Sequence, residues 1–276
     1  MTNTPTNTMT NTSTNTVPHT VEAETAHIEF KNITKSYGPT TIIGETSVSI
    51  KEGEFVSLLG PSGSGKSTML NMIAGLATPS TGEVRARDEV VTGPGPDRGV
   101  VFQNHALLPW MTARGNIEFG LRSARPDLSK AQRKTITQDF LDEVSLGHAA
   151  DRRPARLSGG MQQRVGLARA FAIGSDILLL DEPFGALDAL TRRQLQTLLL
   201  SVWEENRRTV VMVTHDVDEA ILLSDRILVM SPGPEATIVE DLRVGLARPR
   251  TGDADLAVGK RKNELRHHLL SLLEHD

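Results

Sequence analysis

The chain has no cysteine. That excludes disulfides, zinc–thiolate sites and a thiol nucleophile, and it agrees with a reducing compartment. It also lacks long hydrophobic runs. Its all-apolar stretches are short, such as Ile177-Leu178-Leu179-Leu180, against the roughly 18–20 residues of a membrane-spanning helix. No basic segment followed by an apolar one opens the chain, so no secretory signal is read there. Charge is nearly balanced: the formal net charge is −4, without the basic excess that marks non-specific nucleic-acid binding. The chain is therefore expected neither to span a membrane nor to bind nucleic acid, although it can still sit on a membrane protein. Its 276 residues suffice for one large domain, or a domain with a subdomain, that folds without disulfides or structural metal.

Residues 1–26 are of low complexity, with Thr at every even position from Thr2 to Thr16. They have no apolar set to bury and are expected to be disordered. The match Asn11-Thr12-Ser13 to a glycosylation acceptor is read as noise without a signal peptide. From His27 the pattern changes. His27-Ile28-Glu29-Phe30-Lys31 alternates like a half-buried strand, and Thr46 to Ile50 reads similarly. Wholly apolar runs follow at Phe55 to Leu59, Val100 to Phe102, Ile177 to Leu180, Val210 to Val213 and Ile227 to Met230. Strands buried on both faces, as in a parallel sheet covered by helices, have this composition. Between Gln103 and Ser158 the periodicity becomes helical. Ser129-Lys130-Ala131-Gln132 is a capping box, and Ile136, Phe140, Leu141 and Val144 form one apolar stripe. This segment predicts a helical subdomain inserted between two sheet strands. Leu195, Leu198, Leu199, Val202 and Trp203 predict another buried helix face. Thr92 to Asp97 and Pro232 to Pro234 predict turns. Leu265, Leu269, Leu272 and Leu273 predict a final amphipathic helix docked on the fold.

Chemistry concentrates at two places. Gly60-Pro61-Ser62-Gly63-Ser64-Gly65-Lys66-Ser67, with Thr68 after it, is the phosphate-binding loop G-x-x-x-x-G-K-[ST], set between an apolar strand and a helix. Glycines let the backbone N–H groups turn inward on phosphate oxygens, and the helix start adds partial positive charge. Lys66 is expected to reach the outer phosphates, and Ser67 to hold Mg²⁺. The second place is Asp181-Glu182, two carboxylates at the end of the buried Ile177 to Leu180 strand. Ligands of open parallel sheets bind at strand carboxyl ends. There Asp181 can orient Mg²⁺ through water, and Glu182 can polarise the water that attacks the γ-phosphate.

Leu157-Ser158-Gly159-Gly160-Met161-Gln162-Gln163-Arg164, shortly before the Asp181-Glu182 strand, resembles the signature of the ATP-binding cassette (ABC) ATPases. Gln103 is similar to that family's Q-loop, Gly185-Ala186-Leu187-Asp188 to its D-loop, and His215 to its switch histidine. Tyr37 lies where the family stacks an aromatic ring on adenine. The resemblance covers roughly residues 27–245. It implies an α/β P-loop NTPase fold, with a mainly parallel sheet core, an antiparallel β subdomain and the inserted helical subdomain. The implied layout is a tail at 1–26, the ABC ATPase domain at 27–248 with its helical part at about 104–172, and a C-terminal extension at 249–276.

By that resemblance the chain is an ATPase using ATP and Mg²⁺. Glu182, His215 and Gln103 are its catalytic residues, and Ser67, Gln103 and Asp181 its metal residues. Tyr37, the loop Gly60 to Thr68, Ser158, Gly159, Gly160 and Asp188 bind nucleotide. Each of these has a plainer reading: Ser158 as a helix cap, His215 as structural, Tyr37 as a packed ring. In the family two cassettes meet head to tail, and each ATP lies between one loop and the other copy's signature. A second ABC ATPase copy, identical or paralogous, is thus an implied partner. So are integral membrane permease subunits and a periplasmic or extracellular substrate-binding protein. The implied location is peripheral, on the cytoplasmic face of the cell membrane.

Leu107-Leu108-Pro109-Trp110, just after Gln103, reads either as core or as a surface groove for a helix of another protein; the resemblance implies that this helix belongs to the membrane subunit of an importer. This stretch resembles the importers of nitrate, taurine, aliphatic sulfonates and related small anions, as do Arg153 to Ser158 and Pro183 to Arg192. It reads closest to the nitrate branch. A taurine or sulfonate importer is the alternative, and a soluble non-transport ABC ATPase a more distant one.

Overall fold

The computed structural model describes residues 26–274 apart from 104–105, 186, 249 and 251–255. The expectation for the Thr/Asn-rich tail falls outside these residues, as do Ala186 and the Asn104-His105 pair.

β1 (Ala26–Tyr37) and β2 (Thr40–Lys51) form an antiparallel hairpin. β3 (Phe55–Leu59) leads through the glycine loop to α1 (Lys66–Ile73). β4 (Thr81–Ala86) returns to pair with β1, and the short β5 (Glu89–Val90) pairs with β4. These strands make a four-stranded antiparallel sheet in the order β2-β1-β4-β5. β6 (Arg98–Val101) then enters a second sheet. A helical segment follows: α2 (Ala113–Ala124), α3 (Lys130–Glu143) and α4 (Gly159–Ile173). The chain continues through β7 (Ile177–Asp181), α5 (Ala189–Asn206), β8 (Thr209–Thr214), α6 (Val217–Leu223), β9 (Arg226–Met230), β10 (Ile238–Arg243) and α7 (Leu256–Glu274).

The second sheet has six strands in the order β10-β9-β3-β8-β7-β6, parallel except for β10 against β9. Every residue of β3 and β8 is buried, which is why these segments carry no alternating polar face. The register places strand ends side by side: Leu59 pairs with Thr214, Asp181 with Val213, and Val101 with Leu180. The residues just beyond them are Gly60, His215, Glu182 and the start of the Gln103 loop.

The helical segment has an apolar cluster of its own, built from Ile117 and Leu121 of α2, Leu141 of α3 with Val144 beyond it, and Val165 and Ala168 of α4. Its helices are capped as their sequences predict. Ser129 and Gln132 form both halves of the capping box, and Ser158 caps α4. The opposite side of α4 sends Leu167, Ala170 and Phe171 into the cluster under the sheet, together with Leu195, Leu199 and Trp203 of α5. One helix thus serves two cores.

Three expectations change. His27 is buried instead of facing solvent, because its ring nitrogen Nδ1 shares a 2.7 Å hydrogen bond with Thr209 Oγ1. The strand expected at Val100 to Phe102 lies at Arg98–Val101, with Phe102 beyond it. Strands β4, β5 and β10 carry no expectation from sequence, since they are short or partly exposed and lack a solid apolar run. The expected C-terminal helix is α7, whose Leu265 and Leu269 are buried with Val217, Ala220 and Ile221. Arg250 anchors its approach by donating to Ile221 O at 2.9 Å and Ser224 O at 2.5 Å. Burial pushes its guanidinium down to about 10. Leu269→Ala is expected to cost about 2–5 kcal/mol of local packing and to free α7 before the sheet melts. Faster proteolytic release of a C-terminal fragment, at unchanged sensitivity elsewhere, is the measurement.

Candidate functional site

The loop after β3 turns into α1 through Gly65, whose φ is 84° and whose Cβ, if present, would lie 2.9 Å from Ile43 Cγ1. Backbone conformation and space both require glycine there. No side chain caps α1, so its first N–H groups remain available to an anion. Lys66 is buried and its Nζ donates to Gly60 O at 2.8 Å and Pro61 O at 2.6 Å. Burial lowers its ammonium from the usual lysine range, and Glu182 and Asp181 pull it back up. The loop is thus closed around its own cation.

Ser67 Oγ donates to Asp181 Oδ1 at 2.9 Å and joins the loop to the end of β7. Burial raises the Asp181 carboxyl above the ordinary aspartate range; the Ser67 hydrogen bond opposes this and Glu182 adds to it. Glu182 has φ 44°, a left-handed conformation for a residue with a side chain. Such backbone is costly and clusters at functional sites. Here the Glu182 N–H donates to Val213 O at 3.0 Å and fixes it. Its carboxylate accepts from Gln103 Nε2 at 2.9 Å and lies 3.5 Å from His215 Nδ1. Tyr37 reaches in from the end of β1, 54% exposed, with Lys35 Nζ 4.7 Å above its ring.

These groups share one open cleft of about 660 Å³, lined by Tyr37, Ile42, the loop from Ser62 to Thr68, Gln103, Glu182 and His215. The structure therefore brings together Tyr37, the phosphate loop, Gln103, Asp181, Glu182 and His215. Ser158, Gly159, Gly160 and Asp188 are not in that cleft. Ser158 accepts from Met161 N at 3.3 Å. Asp188 caps α5, accepting from Leu190 N at 3.1 Å and Thr191 N at 3.0 Å, and these bonds hold its carboxyl below the usual range. The two turns are neighbours: a Cβ on Gly160 would sit 3.1 Å from Thr191 Cγ2 and 3.5 Å from Leu187 Cδ2.

The Leu107 to Trp110 stretch divides between its two readings. Leu107 packs on the helical cluster, whereas Trp110 is 66% exposed. Buried Asn116 holds the stretch by accepting from Leu108 N at 2.8 Å and donating to Thr112 O at 3.0 Å. Neither Asn116 nor the cleft wall Ile42 carried a sequence signal. Thr214 and Asp216, which flank His215, could have been found from its position at a strand end.

An ABC transporter family model matches residues 43–185, from within β2 to just past Glu182. The chain belongs to the ABC transporter family. It is 46% identical over 233 residues to the bicarbonate transport ATP-binding protein CmpD of Synechocystis, covering 83% of each chain. It is 46% identical to the nitrate import ATP-binding protein NrtD of Synechococcus elongatus, covering 83% of this chain and 85% of that one. Identity to the nitrate transport protein NasD of Klebsiella oxytoca is 49%, over 86% and 90% of the two chains. A solved dimeric structure of the ATP-binding cassette MJ0796, in a post-hydrolysis state with ADP and Pi, superposes with a TM-score of 0.71 at 36% identity. That match covers 80% of this chain and 100% of that one. The fold is that of an ABC ATPase, and the chain is an ATP-binding ATPase of an ABC importer. Among the described residues no helix is long and apolar enough to cross a membrane.

The raised Asp181 carboxyl has a consequence for this ABC ATPase. Its contribution to folding is full below the unfolded pKa and is lost as pH rises through the raised folded value. Above the unfolded pKa, keeping the group in its buried place opposes folding. Asp181→Asn is expected to raise the melting temperature of the nucleotide-free chain by about 1–3 °C at neutral pH, with the gain shrinking as pH falls. Thermal melts across pH measure it.

Proposed function

We propose that the chain energises uptake of a small inorganic anion, nitrate first, as the ATPase subunit of an importer complex. The observation that carries the reading is the convergence of the phosphate loop, Asp181, Glu182, Gln103 and His215 in one cleft. The relatives named for nitrate and bicarbonate support the cargo class. Both are small, monovalent oxyanions. Bicarbonate is thus a second cargo that these relatives favour.

In this reading Tyr37 stacks on adenine, the Gly60 to Thr68 loop and Lys66 hold the phosphates, and Glu182 orders the attacking water. Gln103 and His215 set the Glu182 carboxylate. Phosphoryl transfer depends chiefly on positioning and charge stabilisation, which these groups supply. The residues also fit Mg²⁺. Ser67 Oγ and Asp181 Oδ1 already meet beside the loop, and Gln103 offers a further oxygen. A hard cation prefers such oxygens and takes the rest from phosphate and water. That agrees with the lack of any cluster of three or more His, Cys, Asp or Glu able to hold a metal among the described residues. Bound there, Mg²⁺ would neutralise phosphate charge.

Ser158, Gly159, Gly160 and Asp188 lie away from the cleft and are assigned to the nucleotide site of a second cassette copy. The dimeric neighbour with ADP and Pi supports this arrangement. The exposed Trp110 is assigned to a permease subunit, which would place the chain on the cytoplasmic face of the membrane with a substrate-binding protein on the other side. The division into tail (1–26), cassette (27–248, helical part about 104–172) and extension (249–276) belongs to the same reading. The separate apolar cluster of α2, α3 and α4 supports it.

Tyr37→Ala is expected to weaken ATP binding about tenfold, the scale of one aromatic stacking contact, with Tyr37→Phe restoring it; equilibrium titration decides. Glu182→Gln is expected to lower turnover at least about a hundredfold while still binding Mg-ATP and eluting as a dimer. Reconstituted with its membrane subunits, the wild-type chain should drive ATP-dependent nitrate uptake and Glu182→Gln should not. A Glu182→Gln protein hydrolysing near the wild-type rate removes the base assignment. Uptake of bicarbonate alone moves the cargo within the class.

A further inference from the structure

Behind His215, on the side away from the nucleotide cleft, lies a buried polar cluster that the reaction scheme does not use. Glu219 of α6 is 6% exposed. Its Oε2 accepts from Thr214 Oγ1 at 2.8 Å, and its Oε1 from Gln196 Nε2 at 3.3 Å. The Thr214 hydroxyl in turn accepts from Asp216 N at 3.0 Å. The two residues flanking His215 are therefore drawn together by one hydroxyl, and that hydroxyl is held by one carboxylate. A buried carboxylate is costly unless its partners are worth keeping. Burial raises the Glu219 carboxyl, opposed first by the Thr214 hydrogen bond.

Arg192 faces this cluster from α5. Its Nε lies 3.7 Å from Glu219 Oε1 and its Nη1 3.7 Å from Asp216 Oδ2, both longer than a charge-assisted hydrogen bond. The Nε is buried without a hydrogen-bond partner. Nη2 donates to Leu187 O at 3.3 Å, one residue before Asp188. A cavity of about 30 Å³, walled in part by Glu182, Arg192, His215 and Glu219, separates the two carboxylates. Arg192 is thus the one side chain of this group that touches the Leu187–Asp188 turn and also faces the turn carrying His215. A small shift of α5 would shorten its 3.7 Å contacts into hydrogen bonds.

We propose that Glu219 is a positioning residue that clamps the Thr214–Asp216 turn and so sets His215 against Glu182, with Arg192 tying that turn to the Leu187–Asp188 turn at the start of α5. It rests on the assignment of Glu182 and His215 to ATP turnover. Under that assignment, whatever docks on the Leu187–Asp188 surface can adjust the geometry of the cleft through Arg192 without touching nucleotide.

The test is steady-state ATPase of the full chain beside ADP affinity by titration. Glu219→Gln keeps the volume and removes a desolvated charge, so it is not expected to unfold the chain at neutral pH. It cannot accept from both Thr214 and Gln196 on two carboxylate oxygens. It is expected to lower kcat at least about tenfold, the cost of a small misplacement, with KM for ATP and ADP affinity within about twofold of wild type. Added to His215→Ala it should cost less than about twofold more, because it acts through His215. Thr214→Val should reproduce the defect and Thr214→Ser relieve it, which keeps the test open if Glu219→Gln fails to fold. Near wild-type kcat in Glu219→Gln or Thr214→Val, penalties that multiply with His215→Ala, or lost ADP affinity would each overturn the proposal. If His215→Ala itself turns over normally, the assignment of His215 falls and the proposal with it. An impaired His215→Ala beside a normal Glu219→Gln overturns the positioning role alone.

Discussion

The parallel register of the central sheet is the constraint on which the site depends. β3, β7 and β8 lie side by side with Leu59 opposite Thr214 and Asp181 opposite Val213. Loops that follow β3, β6, β7 and β8, far apart in the chain, therefore leave the sheet at one end. A parallel strand must be reached by a crossover, and each crossover here carries a helix that covers a face. Burial of those faces fixes the register, because any slip would move apolar side chains and the loop residues together. The phosphate loop, the carboxylate pair and His215 are brought together as a by-product of packing.

Within that frame the site is held in a costly state. Lys66 is a buried cation, Asp181 a carboxyl raised by burial, and Glu182 a residue with left-handed backbone. Each is tied to partners that hold it in place. Lys66 is tied to two loop carbonyls, Asp181 to Ser67, and Glu182 to Val213, Gln103 and His215.

A second consequence concerns transmission. α4 begins at Ser158, packs one side into the helical segment and the other beneath the sheet, and its first turn touches Thr191 and Leu187 near the start of α5. Close-packed helices move as units. The helical segment, where Trp110 is exposed, is thus joined through α4 to the Leu187–Asp188 turn.

Much of this was legible before any coordinates. Buried strands announce themselves by solid apolar runs, so β3, β7, β8 and β9 could be placed, and local capping chemistry placed α3 and α4. The phosphate loop and the Asp181-Glu182 pair were legible because their chemistry is contiguous in sequence. The short or partly exposed strands β4, β5 and β10 were not, since no solid apolar run marks them. Nor could sequence give the inward turn of His27, which depends on Thr209, a residue distant in the chain. Only the tertiary structure decided that Leu107 is packed while Trp110 is exposed, that the signature turn lies outside the cleft of its own chain, and that Glu219 lies behind His215. Those facts arise from pairings between distant segments, and a local pattern carries no information about which distant surface it will meet.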